Sequence, residues 1–182
     1  YGSLPNAPEA GTTFLAPVLI ADYDKDLCVE VTVCRGEPTR PGLVAGLLPR
    51  PGAMAMGALS RVEPGAAEEV LQRLDARELD AKAYEARVVR AISADGSIRH
   101  ALAFTAAVTH PQCRVLDVPV AAAMVAGATG SCGTNRDYLE LVLDFERETF
   151  DQVTPKLAAI ARLVGQMRRS GRILTKSVAI AA

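Results

Sequence analysis

The feature that most constrains this sequence is a change of texture near residue 110. Residues 1–110 are rich in Gly, Pro and short alternating patterns, whereas residues 118–170 are rich in Ala and Leu at helical spacing. Alternation with a period of two marks half-buried strands, and apolar residues recurring every three to four mark helices. A run of strands followed by a run of helices is the order of an α+β domain, not of repeated βαβ units. A length of 182 residues suits a single domain, 1–182. No internal repeat is present.

The first half resolves into short strands. Pro17–Tyr23 and Leu27–Cys34 read as two of them, the second with Leu27, Val29, Val31 and Val33 on one face. Arg35-Gly-Glu-Pro-Thr-Arg-Pro-Gly42 is turn chemistry, because paired Pro and Gly exclude regular structure. Leu43–Leu48 and Met54–Val62 are further strands, divided by a turn at Pro49-Arg-Pro-Gly52. Tyr84–Ser93 and Ile98–Ala107 flank Asp95-Gly96, a hairpin signal. Short strands with tight turns favour a curled sheet or small barrel. Between them Pro64, Glu68 and Glu69 open a helix carrying Val70, Leu71 and Leu74, which frays near Ala76–Asp80.

The second half reads as three helices, near Val118–Ala128, from Asn135 as N-cap, and near Val153–Arg168. The tail Ile173–Ala181 reads as a last strand.

Composition removes several function classes. The net charge is −1, from 20 basic and 21 acidic residues, without the basic excess of a nucleic-acid binder. Aromatics are 4% and Trp is absent, which disfavours a base-stacking platform. No apolar run approaches the ~18 residues of a membrane span. The first ten residues are polar, with Pro5 and Pro8, so no secretory leader is expected. Cys28, Cys34, Cys113 and Cys132 show no C-x-x-C spacing, and His100 and His110 are the only histidines. Neither a zinc site nor a disulfide framework is expected; four reduced cysteines in a cytoplasmic protein are. A small-molecule partner is the expectation, with no nucleic acid and no membrane.

The phosphate-binding and nucleophile-elbow motifs are missing. Three local features carry chemistry instead. Tyr1-Gly-Ser-Leu4 is a turn whose consecutive amides suit an anion or oxyanion, or else a plain chain end. Leu74-Asp-Ala-Arg-Glu78 places a carboxylate at the negative end of a helix dipole, which disfavours its charged form. With partial burial that makes Glu78 usable as a general acid and base, against the plain reading of a solvated helix end. Gly130-Ser-Cys-Gly-Thr-Asn-Arg-Asp-Tyr-Leu139 joins two helices, either as a carboxylate site at a helix N-terminus or as a corner with Tyr138 in the core.

In this order and spacing, the motifs resemble those of the ChaC-type, glutathione-specific gamma-glutamylcyclotransferases: Tyr1-Gly-Ser-Leu4, Arg35-Gly-Glu-Pro-Thr-Arg-Pro-Gly42, Arg77-Glu78 followed by Tyr84, and Gly130-x-x-Gly-Thr-Asn-x-x-Tyr-Leu139. The resemblance runs from residue 1 to about 165, and the Glu78-to-Tyr84 spacing is similar to bacterial members. It implies a small mixed β-barrel with flanking helices. It implies a lyase that cleaves glutathione to 5-oxoproline and cysteinylglycine without a cofactor or metal. Glu78 would be the acid/base, and Tyr1, Gly2, Ser3, Leu4 and Pro5 the gamma-glutamyl loop. Arg35, Tyr84 and Tyr138 would complete the substrate pocket.

Three alternatives stand beside this reading. One is a relative acting on other gamma-glutamyl amines or peptides, with the acidic stretch Asp22–Asp26 attracting a cationic leaving group. The second is a gamma-glutamyl-binding module without turnover, and the third a thiol enzyme built on Cys34 or Cys132.

Overall fold

The computed structural model describes residues 9–79 and 82–179, with the side chains of residues 168 and 171–179 left aside. Four antiparallel strands form one sheet in the order β2-β1-β3-β4: β1 (Thr12–Val31), β2 (Gly42–Val62), β3 (Tyr84–Ile92) and β4 (Ile98–Ala106). α1 (Ala67–Glu78) follows a 3-10 turn at Pro64–Ala66. The helical half holds α2 (Val118–Gly127), α3 (Asn135–Phe150) and α4 (Pro155–Ala179). Between α2 and α3 lies a two-rung ribbon of β5 (Thr129–Gly130) and β6 (Gly133–Thr134).

The pairs of short strands expected before residue 62 are each one long strand. β1 and β2 pair from Thr12↔Val62 to Val31↔Gly42, with three shifts of register. The largest falls between Ala21↔Met54 and Tyr23↔Pro49, where Pro49-Arg-Pro-Gly52 bulges rather than ending the strand. Asp22 takes a positive φ of 65° there and Gly52 one of 78°. The Gly52 N–H donates to Asp22 Oδ1 at 3.0 Å, closing the bulge. Bulges bend strands and raise their twist, which curls this sheet without closing its hydrogen-bond ladder. They also reset the alternation, so Leu27, Cys28 and Val29 are all buried. The Asp95-Gly96 hairpin forms as expected, with Tyr84↔Ala106 to Ile92↔Ile98 in register and Gly96 at φ 79°.

The core falls into three clusters, a small one of Cys28, Val29, Ala83 and Ala106 and two larger ones. Val18, Ile20, Leu47, Ala55, Leu59, Val89 and Ala91 pack together on the sheet, from β1, β2 and β3. The other end packs Leu27, Leu43 and Ala45 against α2, α3 and α4 through residues including Ala122, Leu139, Leu143, Leu157 and Ile160. Alanine on α2 suits this close approach of helices. The tail expected as a strand instead continues α4 to Ala179, where the helix's own i→i−4 ladder satisfies the backbone. Among the described residues no helix is long and apolar enough to cross a membrane.

A charged pair lies inside the helical end. Lys25 and Glu146 meet at 2.8 Å with both side chains almost fully buried. Thr154 donates its N–H to Glu146 Oε2 and its hydroxyl to Oε1, at 2.6 and 2.8 Å. Burial pushes the Lys25 amine down from its ordinary pKa, against the pull of Glu146. Asp26 meets Lys156 at 2.5 Å, Asp24 meets Arg50, and Asp22 meets Arg90. Each carboxylate of the acidic Asp22–Asp26 stretch is thus paired with a basic side chain, Asp22 and Asp24 at the surface and Asp26 in the interior.

Candidate active site

Glu78 is the last residue of α1, and its side chain is 17% exposed. Burial raises the carboxyl above its ordinary pKa, opposed by the Arg77 guanidinium 3.1 Å away. The cause is desolvation, where the sequence also pointed to the helix dipole. Glu78 and Arg35 both act electrostatically on the Tyr138 hydroxyl, Glu78 upward and Arg35 downward, although burial dominates that residue's upward shift.

Tyr138 and Tyr84 converge on one residue. The Ala45 N–H donates to Tyr138 Oη at 2.9 Å, and the Tyr84 hydroxyl donates to the Ala45 carbonyl at 2.8 Å. A β2 residue is thus held from α3 on one side and β3 on the other. The Arg35 guanidinium lies 5.9 Å from the Tyr138 ring centroid, and its Nη1 donates to the Thr134 carbonyl at 3.3 Å. Tyr138, Tyr84 and Arg35 are therefore connected through Ala45 and the Tyr138 ring, with Glu78 within electrostatic range of Tyr138. Tyr1, Gly2, Ser3, Leu4 and Pro5 lie outside the described residues. The chain enters the described structure beside α1, where Glu9 pairs with Arg73 at 2.6 Å and Arg77 at 3.7 Å.

The two motifs flanking this neighbourhood interlock. Ser131 and Cys132 donate their N–H groups to the carbonyls of Val33 and Cys34, at 2.9 and 2.8 Å. A Cβ on Gly130 would strike the Val33 and Cys34 backbone, and one on Gly36 would strike Gly42. Asn135 is fully buried, its Oδ1 accepting from the Leu43 N–H and its Nδ2 donating to the Leu43 carbonyl, both at 2.7 Å. It is therefore not the N-cap expected from sequence. Thr134 is, accepting from the Asp137 N–H at 3.1 Å. The Thr134-x-x-Asp137 spacing is a capping pattern and was the available signal.

The cysteines also depart from expectation. Cys34 and Cys132 form a disulfide across 98 residues of sequence. No spacing rule signals it, because the pair meets only once the two loops dock. Cross-linked, neither sulfur is a free nucleophile, so the thiol-enzyme alternative loses its two candidates. Cys28 and Cys113 are free, and burial raises both thiols above their ordinary pKa.

Two open cavities lie close by. One of about 440 Å³ is lined by Leu79, Lys82, Tyr84, Glu85 and His110. The other, about 550 Å³, lies over the interlocked loops and is lined by Thr32, Glu37, Arg40 and Ser131.

A family model described as ChaC-like protein matches residues 1–167. The chain belongs to the ChaC-like family. Two solved structures from yeast resemble this ChaC-like chain, both crystal structures of a gamma-glutamyl cyclotransferase specific to glutathione. The selenomethionine-labelled form is 19% identical with a TM-score of 0.81, over 91% of this chain and 93% of that one. The other is 20% identical with a TM-score of 0.78, over 92% and 96%. The ChaC-like chain thus has the gamma-glutamylcyclotransferase fold, a mixed α+β arrangement. No curated protein matches it.

Proposed function

We propose that this ChaC-like protein is a gamma-glutamylcyclotransferase acting on glutathione, with Glu78 as the acid and base. The observation that carries the reading is a carboxyl shielded from water, with a raised pKa, at the end of α1 and within electrostatic range of Tyr138. Family membership and the solved relatives support it.

The reaction is an intramolecular aminolysis. The α-amine attacks the substrate's own δ-carbonyl, a five-membered lactam forms, and the amide C–N bond breaks. Glutathione divides into 5-oxoproline and cysteinylglycine with no atom added. The amine proton passes to the Glu78 carboxylate, and the acid so formed protonates the departing nitrogen. An ordinary Glu, with a pKa of ~4.3, is a weak base toward an ammonium at neutral pH, so the upward shift favours the first transfer and keeps the proton on the carboxyl until the departing nitrogen takes it. Folding the flexible glutamyl chain into the attacking conformer supplies up to ~7–11 kcal/mol in ideal systems. The Gly2–Leu4 amides take the oxyanion, a contribution of about 2.7–4 kcal/mol per donor where measured. Arg35 pairs with the α-carboxylate.

The test is incubation with glutathione and chromatographic detection of 5-oxoproline and cysteinylglycine. Release by the native chain and loss in Glu78→Gln is the expected result. Normal turnover by the Gln variant would remove Glu78 from the mechanism. Binding without release would favour the non-catalytic module, and faster release from other gamma-glutamyl amides would reassign the substrate.

A further inference from the structure

We propose that the Cys34–Cys132 disulfide is a thiol-exchange site whose state sets how firmly the Arg35 loop is held. For its effect on turnover this rests on the proposed cyclotransferase reading; the exchange itself does not.

Both bonded cysteines are exposed to solvent, whereas free Cys28 is buried and Cys113 half-buried. The bond is therefore within reach of an attacking thiolate. The 550 Å³ cavity opens beside it, lined by Thr32, Val33, Gly36, Glu37, Arg40 and Ser131. Its volume and its charged Arg40 and Glu37 suit a small zwitterionic peptide thiol. Neither Arg40 nor Glu37 has an ion-pair partner among the described residues.

The exchange is balanced by two thiols. The first thiolate attacks one cysteine sulfur; the S–S electron pair leaves on the other sulfur, which takes a proton. The second thiolate attacks the outer sulfur of the mixed disulfide and releases the remaining protein thiol. The protein disulfide gains two electrons, and two peptide thiols become one disulfide. The reverse sequence recloses the bond.

The consequence follows from what the bond adjoins. Arg35 is the next residue after Cys34, and Thr134, which accepts from Arg35, is two beyond Cys132. With the bond open, the loops keep the Ser131–Val33 and Cys132–Cys34 backbone bonds, the Ser131 hydroxyl bond to the Val33 carbonyl, the long Arg35–Thr134 bond and the glycine contacts, but no covalent tie. Arg35 then samples more positions, weakening capture of a carboxylate more than the chemical step.

The intact chain is held in graded mixtures of oxidised and reduced dithiothreitol, which carry no gamma-glutamyl group. Free thiols are then alkylated and the chain weighed. Cys34 and Cys132 are expected to pass together into the labelled form without denaturant. Amide exchange at Ser131 and Cys132 should quicken about tenfold or more, with Leu43 and Ala45 still protected. KM for glutathione should rise severalfold, with kcat within about twofold. Oxidised glutathione added to the reduced chain should give the mass of one glutathionyl adduct before the bond recloses. Cys113→Ser should respond as the native chain does. Cys34→Ser should hold the raised KM in every mixture.

Absence of labelling at Cys34 and Cys132 overturns the proposal, as does unchanged amide exchange and KM once the bond is open. Loss of protection at Leu43 and Ala45 also overturns it, because the bond would then hold the whole fold. If neither redox state releases 5-oxoproline, the cyclotransferase reading fails, while labelling and amide exchange still decide the exchange site.

Discussion

The interlocked loops and the tip of α1 are held in contrasting ways. The loops are fixed many times over, by backbone pairing, a disulfide, glycines without room for a Cβ, and the buried Asn135. α1 buries only Val70 fully and is otherwise tied by surface ion pairs from Arg73 and Arg77. Exposed ion pairs typically contribute ~0–1 kcal/mol. The conspicuous motifs thus build a frame, while the proposed chemistry rests on one carboxyl at the edge of a lightly anchored helix. Changes in the frame should lower stability, and a change at Glu78 should lower turnover alone.

Glu78→Gln tests the contrast with the largest effect. Turnover should fall ~10²–10⁴-fold, the usual worth of a positioned acid or base. Stability should not fall. Because burial raises the folded-state pKa of Glu78, the charged form penalises folding once pH exceeds the unfolded value. The Gln variant should therefore melt no lower than the native chain near pH 7. Any advantage should vanish below about pH 4, where both states of the native chain hold the proton. A melting temperature lowered as far as in the frame variants would break the contrast.

Glu146→Ala should rank next. It strands Lys25 in the helical core, and breaking a buried pair this way costs about 3–5 kcal/mol. Denaturant melts measure it, and replacing Lys25 and Glu146 together by Met and Leu should recover most of the loss. Asn135→Ala should cost about 1–3 kcal/mol by leaving the Leu43 N–H and carbonyl unpaired. Hydrogen exchange at Leu43 would show it directly. Tyr84→Phe is the mildest, about 0.5–1.5 kcal/mol for one hydrogen bond to Ala45. An activity loss far above that stability loss would move Tyr84 from the frame to the reacting groups.

The same contrast explains what could be read from sequence. The Asp95-Gly96 hairpin and the starts of α1 and α2 depend on neighbours in the chain, so local residues announce them. Glu78 was legible as a carboxylate ending a helix, but its burial was not, because spacing alone equally suits a solvated helix end. The long strands were not, because Asp22 and Pro49–Gly52 look like chain reversals until the partner strand shows them to be a bulge. The disulfide and the Asn135–Leu43 clasp join residues 98 and 92 positions apart, and no local pattern encodes such a meeting. Asn135 looked like a cap because helix starts favour Asn; its amide was instead claimed by a strand edge.

Ala45 has a consequence of its own. Its two peptide groups are grasped from opposite sides by hydroxyls belonging to different layers, so α3 and β3 are geared through a methyl-bearing pivot too small to absorb slack. A rotation of α3 about its axis would pull on the Tyr138 bond and, through the same alanine, on Tyr84. Motion begun at the helical face would arrive at the strand six residues beyond Glu78 with little loss.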